Sequence, residues 1–271
     1  ILRTCSSVQM LTQSKKRIFE KDKSEYTLRT LNSLIKSINF AKDIFKNVKL
    51  EFIVIDYKSD QKILEKIKKM LSNEFFENKI ISLNLNNFIK KINPFNERNE
   101  KVSLNQMSNM SNIYQSLILS KNCEDLIYFV EDDYIHSLES IKEMLLTYEK
   151  FSSMFGKELF LCPTDYPYLY NKAESSKIFL GNTKHWRTVS ETLCTFLTSK
   201  NIIDKYWENF ENWCKFEHYP FEKPLHKIYE NEFCLSPIPS LAIHCTNINS
   251  VFGLSPNYNW EKLWNENEVD Q

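Results

Sequence analysis

Glycine is almost missing from this chain, with three in 271 residues. Neither GxGxxG nor GxxxxGK[ST] can be written with so few, so both glycine-rich phosphate cradles are excluded by inspection, and any nucleotide must be held another way. Long apolar runs are missing too. Nothing approaches the roughly 18 consecutive apolar residues of a membrane span, and the opening ILRTCSS lacks the basic start and apolar stretch of a signal peptide. A soluble, cytoplasmic protein is expected. There is no charge excess of either sign, since Lys plus Arg equals Asp plus Glu at 35 each. That excludes a basic nucleic-acid footprint and an acidic disordered tail, and points to a small partner. The seven cysteines (5, 123, 162, 194, 214, 234, 245) are odd in number and show no CxxC spacing. They signal neither a zinc cage nor a complete disulfide set, and a reducing compartment is their simplest home.

What the chain does have is LIYFVEDDYIH, Leu126 to His136. Five apolar residues, Leu126 to Val130, have the length and composition of a strand buried on both faces of a parallel sheet. Glu131, Asp132 and Asp133 follow at once. A sheet interior cannot hold unpaired carboxylates, so the strand must end there and deliver the acids to a crevice. Acids packed this closely repel unless a cation sits among them, and oxygen ligands suit a hard divalent ion such as Mg or Mn that could grip a diphosphate. Capping of a helix through Leu138, Ile141 and Leu145 is the plainer reading of Asp133.

The same logic recurs earlier. Ile1 to Cys5 reads as a short strand ending in the small residues Thr4, Cys5, Ser6 and Ser7, which let a ligand approach the backbone. A basic, polar stretch at 12–23 precedes a helix whose Leu28, Leu31, Ile35 and Ile38 recur at helical spacing, with Ser24 as candidate N-cap. The apolar run Phe52 to Ile55 ends in Asp56, an acid placed either to accept from a base or ribose or to cap a turn. A Lys-rich helix at 60–72 and a third strand at 80–85 follow. A helix from Asn105 to Ser120 carries an apolar stripe and, on a second face, Asn105, Asn109, Asn112 and Ser116. Asparagine is a poor choice for a merely solvated helical surface, so Asn109 and Asn112 are candidates to bond a phosphate or base.

Strand and helix alternate through the first 135 or so residues, the pattern of a parallel sheet with right-handed crossovers. The second half is less regular. ELFLCPTDYPYLY (158–170) places Asp165 on a proline-stiffened loop among tyrosines suited to stack on a sugar ring. An alternating stretch lies in 185–203, a helix with Trp207, Phe210 and Trp213 follows, and His244 ends a short strand after Leu241, Ala242 and Ile243. A histidine so placed is either a structural residue or, if it faces Asp133, a ligand.

Taken together, these features resemble the GT-A glycosyltransferases, in which a Rossmann-like half ends in a short acidic DxD motif often varied to EDD. Glu131, Asp132 and Asp133 match that variant, residues 1–136 match well in order and spacing, and residues 137–271 match loosely. The resemblance implies a single α/β GT-A domain, with a mostly parallel sheet flanked by helices in a nucleotide-sugar-binding half (1–136) and an acceptor-binding half (137–271). It implies a nucleotide-sugar donor, most simply a UDP-sugar, touched by Thr4, Ser6, Asp56, Asn109, Asn112, Glu131 and Asp132; Arg187, beside Trp186, is a further candidate to contact a phosphate or an acidic acceptor sugar. It also implies Mn or Mg on Asp133 and His244, and a saccharide or lipid-linked acceptor, the latter reached by peripheral membrane association without a span. The late ED pair that carries the base in the largest inverting group is absent, leaving Glu217, Asp165 and Glu191 as candidate bases. A sugar nucleotidyltransferase shares the metal and nucleotide but usually wants a glycine-rich first loop. A non-catalytic carbohydrate- or nucleotide-binding domain is the rival from another class.

Overall fold

The computed structural model describes residues 1–6, 17–172, 174–246 and 249–269; Ser7 and residues 12–16 of the basic stretch lie outside them. It is a mixed α/β fold with a large, mostly parallel central sheet between helices, consistent with a Rossmann-like architecture. The first four main-sheet strands are β1 (Leu2–Thr4), β2 (Glu51–Asp56), β3 (Glu77–Ser82) and β4 (Leu126–Glu131). The chain then forms β5 (Tyr134–His136), β6 (Phe160–Leu161), β7 (Ile178–Leu180), β8 (His185–Thr188), β9 (Phe196–Ser199), β10 (Cys234–Ile238) and β11 (Ala242–His244). Nine of these make one sheet in the order β3-β2-β1-β4-β9-β6-β10-β8-β7, while β11 and β5 form a separate antiparallel ribbon. From the pairings, β9 and β8 run against the common direction of the other seven.

The layers follow from alternation along β2. Phe52 and Val54 face one core, with the Leu28, Leu31, Leu34, Ile35 and Ile38 stripe of α1 (Lys23–Phe40) and with Met144, Tyr148 and Phe151 of α4 (Ser140–Phe155). Ile53 and Ile55 face the other, with Met110, Ile113 and Leu117 of α3 (Leu104–Ser120). Period 2 in a strand and 3.6 in a helix thus produce two cores on one sheet. The amphipathic helix α2 (Gln61–Leu71) packs Ile67 and Leu71 beneath its Lys face. Strand β3 carries Glu77 and Lys79 on exposed positions, as an edge strand should.

Several boundaries differ from expectation. Helix α1 begins at Lys23 rather than after Ser24, with Asp22 at the N-cap position and no side-chain cap bond. The third strand is shifted to 77–82, because Asn84 turns the chain by accepting from Asn86 N–H (3.1 Å). Strand β5 was not expected: Tyr134–His136 follows the acidic turn directly and has no apolar run of its own to signal it. Two glycines explain why so few suffice. Gly156 closes α4 in the left-handed region at φ +61°, and at Gly181 a Cβ would lie 2.5 Å from the Trp186 ring.

The second half adds α5 (Lys200–Lys205), α6 (Trp207–Lys215), α7 (Lys223–Tyr229) and α8 (Trp260–Glu266). Phe210, Trp213, Leu225 and Ile228 extend the second core, so the sheet and its packing continue past residue 136. Among the described residues no helix is long and apolar enough to cross a membrane.

Candidate active site

Register brings the candidate residues to one edge. In the β2-β1-β4 ladder Thr4 is paired with Asp56 and Arg3 with Glu131, so the carboxyl ends of three parallel strands coincide. This is the edge at which open α/β sheets bind ligands. Asp56 is buried; its Oδ1 accepts from the Thr4 hydroxyl (2.8 Å) and its Oδ2 from Ser59 N–H (3.1 Å). Ser6 N–H donates to Ser59 Oγ (2.9 Å), tying the end of β1 to this turn. Asp56 therefore makes the bonds of a turn aspartate at the place expected of a nucleoside contact.

The acids after β4 diverge. Glu131, the last residue of the strand, faces Arg3, whose Nη2 lies 3.5 Å from Oε1. Asp132 turns toward the start of α1, where Lys23 Nζ (2.5 Å), the Thr27 hydroxyl (2.8 Å) and Cys5 N–H (3.2 Å) surround it. Asp133 turns toward β11. His244 Nε2 stands 3.7 Å from Asp133 Oδ1, and Arg17 Nη1 stands 3.3 Å from Oδ2.

The β5–β11 ribbon produces the last juxtaposition. Its register sets His244 opposite Tyr134, the rings stack at 4.5 Å between centroids, and Cys245 N–H donates to the Asp133 carbonyl (2.8 Å). The Phe252 carbonyl lies 2.7 Å from His244 Nδ1, so a proton held there leaves Nε2 turned to the carboxylate. Burial pushes the Asp133 carboxyl up, but Lys23, His244 and Arg17 outweigh it and hold the group well below the usual carboxylate range. For His244 burial favours the neutral ring, and the Asp133 carboxylate reverses this and raises its pKa.

These residues fit a divalent ion in part. Asp133 and His244 are an oxygen and an imidazole donor on converging elements, and the Nδ1 contact of His244 is what orients a metal-binding histidine. Among the described residues no group of three or more His, Cys, Asp or Glu side chains is arranged to hold a metal. Asp133 and His244 would supply two donors to such an ion, fewer than the protein ligands of a closed site.

Helix α3 turns its polar face inward. Asn112 is buried, its Nδ2 donating to the Ile55 carbonyl (3.2 Å) while its Oδ1 has no partner among the described residues; Asn109 Oδ1 accepts from Arg3 Nη1 (3.2 Å). Asn109 therefore supports Arg3 beneath Glu131.

Other candidates lie elsewhere. Asp165 is buried and paired with Arg187 Nη2; its Oδ2 accepts from the Tyr170 hydroxyl (2.5 Å), and the guanidinium lies 4.5 Å over the Tyr170 ring. Arg187 is on β8, four places from β4 in the sheet order. Glu191 pairs with Lys172 at 2.8 Å. At Glu217 the backbone carbonyl accepts Glu97 N–H (3.0 Å), fixing that turn against the 91–100 loop, and none of the hydrogen bonds or ion pairs among the described residues links its carboxylate to the acidic cluster.

Glu222 is the residue the sequence did not single out. It precedes α7, and its Oε1 accepts from Cys194 Sγ (3.3 Å), at the approach to β9. There the Cys194 carbonyl meets Arg3 Nη2 (3.5 Å), and Thr195 Oγ1 accepts from Glu131 N–H (3.0 Å). Burial and the neighbouring Glu131 carboxylate push Glu222 up to about 7. It lies in KFEHYPFEK five positions after Glu217, and the sequence holds no signal for which of the two faces the strand ends.

No family model matches this chain, and no curated protein matches it. Among solved structures, an apo UDP-glucose pyrophosphorylase is similar over 98% of this chain and 97% of its own, at 7% identity and a TM-score of 0.45. A likeness that faint says nothing about substrate.

Proposed function

We propose that the carboxyl-end edge of β1, β2 and β4 binds a nucleoside diphosphate sugar and that the protein transfers the sugar to a hydroxyl of a saccharide or lipid-linked acceptor. The observation that carries this reading is the convergence of Asp133 and His244, which come from remote parts of the chain, at the edge where Thr4 and Asp56 end their strands. Asp133 and His244 would hold Mn or Mg, whose positive charge stabilises the departing diphosphate. Asp56, Thr4 and Ser6 line the nucleoside end, and Asn112 offers an unsatisfied amide oxygen beside β2. Burial raises the Glu131 pKa, and Arg3, braced by Asn109, opposes that rise from 3.5 Å.

The base in this reading is Glu222, in place of Glu217, Asp165 or Glu191. A group titrating near 7 is ionised often enough at neutral pH to accept a proton and basic enough to keep it. The acceptor oxygen bonds to the anomeric carbon, its proton passes to the Glu222 carboxylate, and the bond from that carbon to the diphosphate oxygen breaks. Asp165 is unsuited to this task because Arg187 and Tyr170 already occupy both of its oxygens.

Isothermal titration with UDP, GDP and CMP, each with and without Mn, tests the proposal. Mn-dependent binding of one diphosphate, lost in His244→Ala, is expected. Absence of binding by all three would overturn it.

A further inference from the structure

Arg17 and Lys23 both stand against the acidic turn, yet the two contacts differ in kind. Lys23 Nζ approaches Asp132 to 2.5 Å, and Thr27 and Cys5 N–H complete that carboxylate's shell. This is a tight structural pair. Arg17 meets Asp133 only at 3.3 Å and 3.4 Å, from Nη1 and Nη2 to the same Oδ2. Charge-assisted bonds of this type normally close to about 2.7–2.9 Å.

The guanidinium is held in place without Asp133. Nη1 donates to the Cys245 carbonyl at 2.9 Å, shorter than either contact with the carboxylate, and the group lies 5.0 Å over the Tyr26 ring. Two residues on, Phe19 stacks on Trp264 at 3.8 Å and meets Trp260 edge-on at 5.5 Å, which anchors the segment to α8. Arg17 Nε is buried and has no hydrogen-bond partner among the described residues. A buried donor left unsatisfied costs on the order of 1–3 kcal/mol, which an anion arriving there would relieve.

We infer that Arg17 is an exchangeable counter-cation: with Lys23 (3.9 Å) and His244 (3.7 Å) it compensates Asp133 while the site is empty, and it trades that carboxylate for a phosphate oxygen of the ligand when a divalent cation takes Asp133. This rests on the diphosphate reading above. The exchange needs no movement of the segment, because Cys245, Tyr26 and the Phe19 stack fix Arg17 beside the carboxylate whichever partner it has. Asp133 already faces Arg17, Lys23 and His244, so an added divalent ion is repelled by the guanidinium and competes with it in the empty protein. Once a diphosphate is present its charge accommodates both, and the competition becomes cooperation. The site thereby favours the metal and the diphosphate together over either alone.

The test is titration of the whole chain and of Arg17→Gln with Mn alone and with Mn plus the diphosphate that the wild type accepts. Without nucleotide, Arg17→Gln should bind Mn about tenfold tighter, within the usual range of site-to-site coupling. With nucleotide that advantage should vanish, and the diphosphate itself should bind the variant about tenfold more weakly. Arg17→Lys, which keeps the charge, should stay near wild type in the Mn arm, and equal thermal midpoints for the three proteins would show that folding is not the cause. Equal Mn affinity of Arg17→Gln and wild type without nucleotide would overturn the inference. So would an unchanged diphosphate affinity. If the wild type binds Mn but no diphosphate, the functional reading falls, and with it the phosphate half of the exchange; the Mn arm still judges the counter-cation half.

Discussion

The acidic turn has two sides, and they are compensated unequally. On the α1 and β11 side, Asp132 and Asp133 face Lys23, Arg17 and His244. On the β9 and α7 side, Glu131 and Glu222 share Arg3. The same chemical group responds in opposite directions: surplus cations pull Asp133 far down, while burial and a like charge lift Glu222 to about 7. In the proposed reaction, carboxylates driven apart in this way would divide the labour, one side holding charge and the other moving a proton.

The sharpest way to break that division is Glu222→Gln. Transfer with the donor found by titration should fall by about 10²–10⁴-fold in kcat, the usual contribution of a general base, while donor affinity is unchanged. Wild-type kcat/KM should rise with pH through about 7, since only the ionised carboxylate accepts a proton, and the variant should lose that limb. A variant with full activity, or one whose donor affinity falls equally, would remove Glu222 from proton transfer.

Asp133→Asn probes the other side. It leaves the nearly buried Arg17 short of a counter-charge, a loss that in buried pairs costs about 3–5 kcal/mol, while Lys23 keeps Asp132. Mn-dependent nucleotide binding should go with it, measured by titration at a temperature where the variant is still folded. Because the Asp133 pKa is depressed in the fold, its contribution is present above the unfolded carboxylate value of about 3.9 and is lost as pH falls below it. Urea midpoints of wild type and variant should therefore draw apart as pH falls from 7 and His244 gains its proton beside Asp133, and the gap should begin to close only below about pH 4; curves parallel throughout would contradict the pairing.

The smallest effect is assigned to Glu217→Gln. With no bond from its carboxylate to the acidic cluster among the described residues, stability should change by less than about 0.5 kcal/mol and turnover not at all. A large loss of turnover would move the base from Glu222 to Glu217 and undo the two-sided division.

Much of the fold was legible because its signals are local. Apolar runs such as Phe52 to Ile55 and Leu126 to Val130 can only be buried strands, the acids that follow must leave the sheet, and the α1 and α3 stripes repeat at helical spacing. The site was legible in its residue types and less so in its partners. Asp133 and His244 were both visible as strand-end residues, but what joins them is the register of β5 with β11, a three-residue pairing with no periodic signature. Arg187 and Asp165 were equally visible as charged residues, and folding spent them on each other.

By itself, then, the sequence determined which segments become strands and helices and that Glu131, Asp132 and Asp133 emerge at a strand end, since burial energetics act on each segment through its own pattern. Only the tertiary structure decided that those three acids point three ways, that Arg17 and His244 share Asp133, and that Glu222 rather than Glu217 reaches Cys194. Those choices depend on pairings between residues remote in the chain, whose geometry is fixed when the sheet and ribbon close.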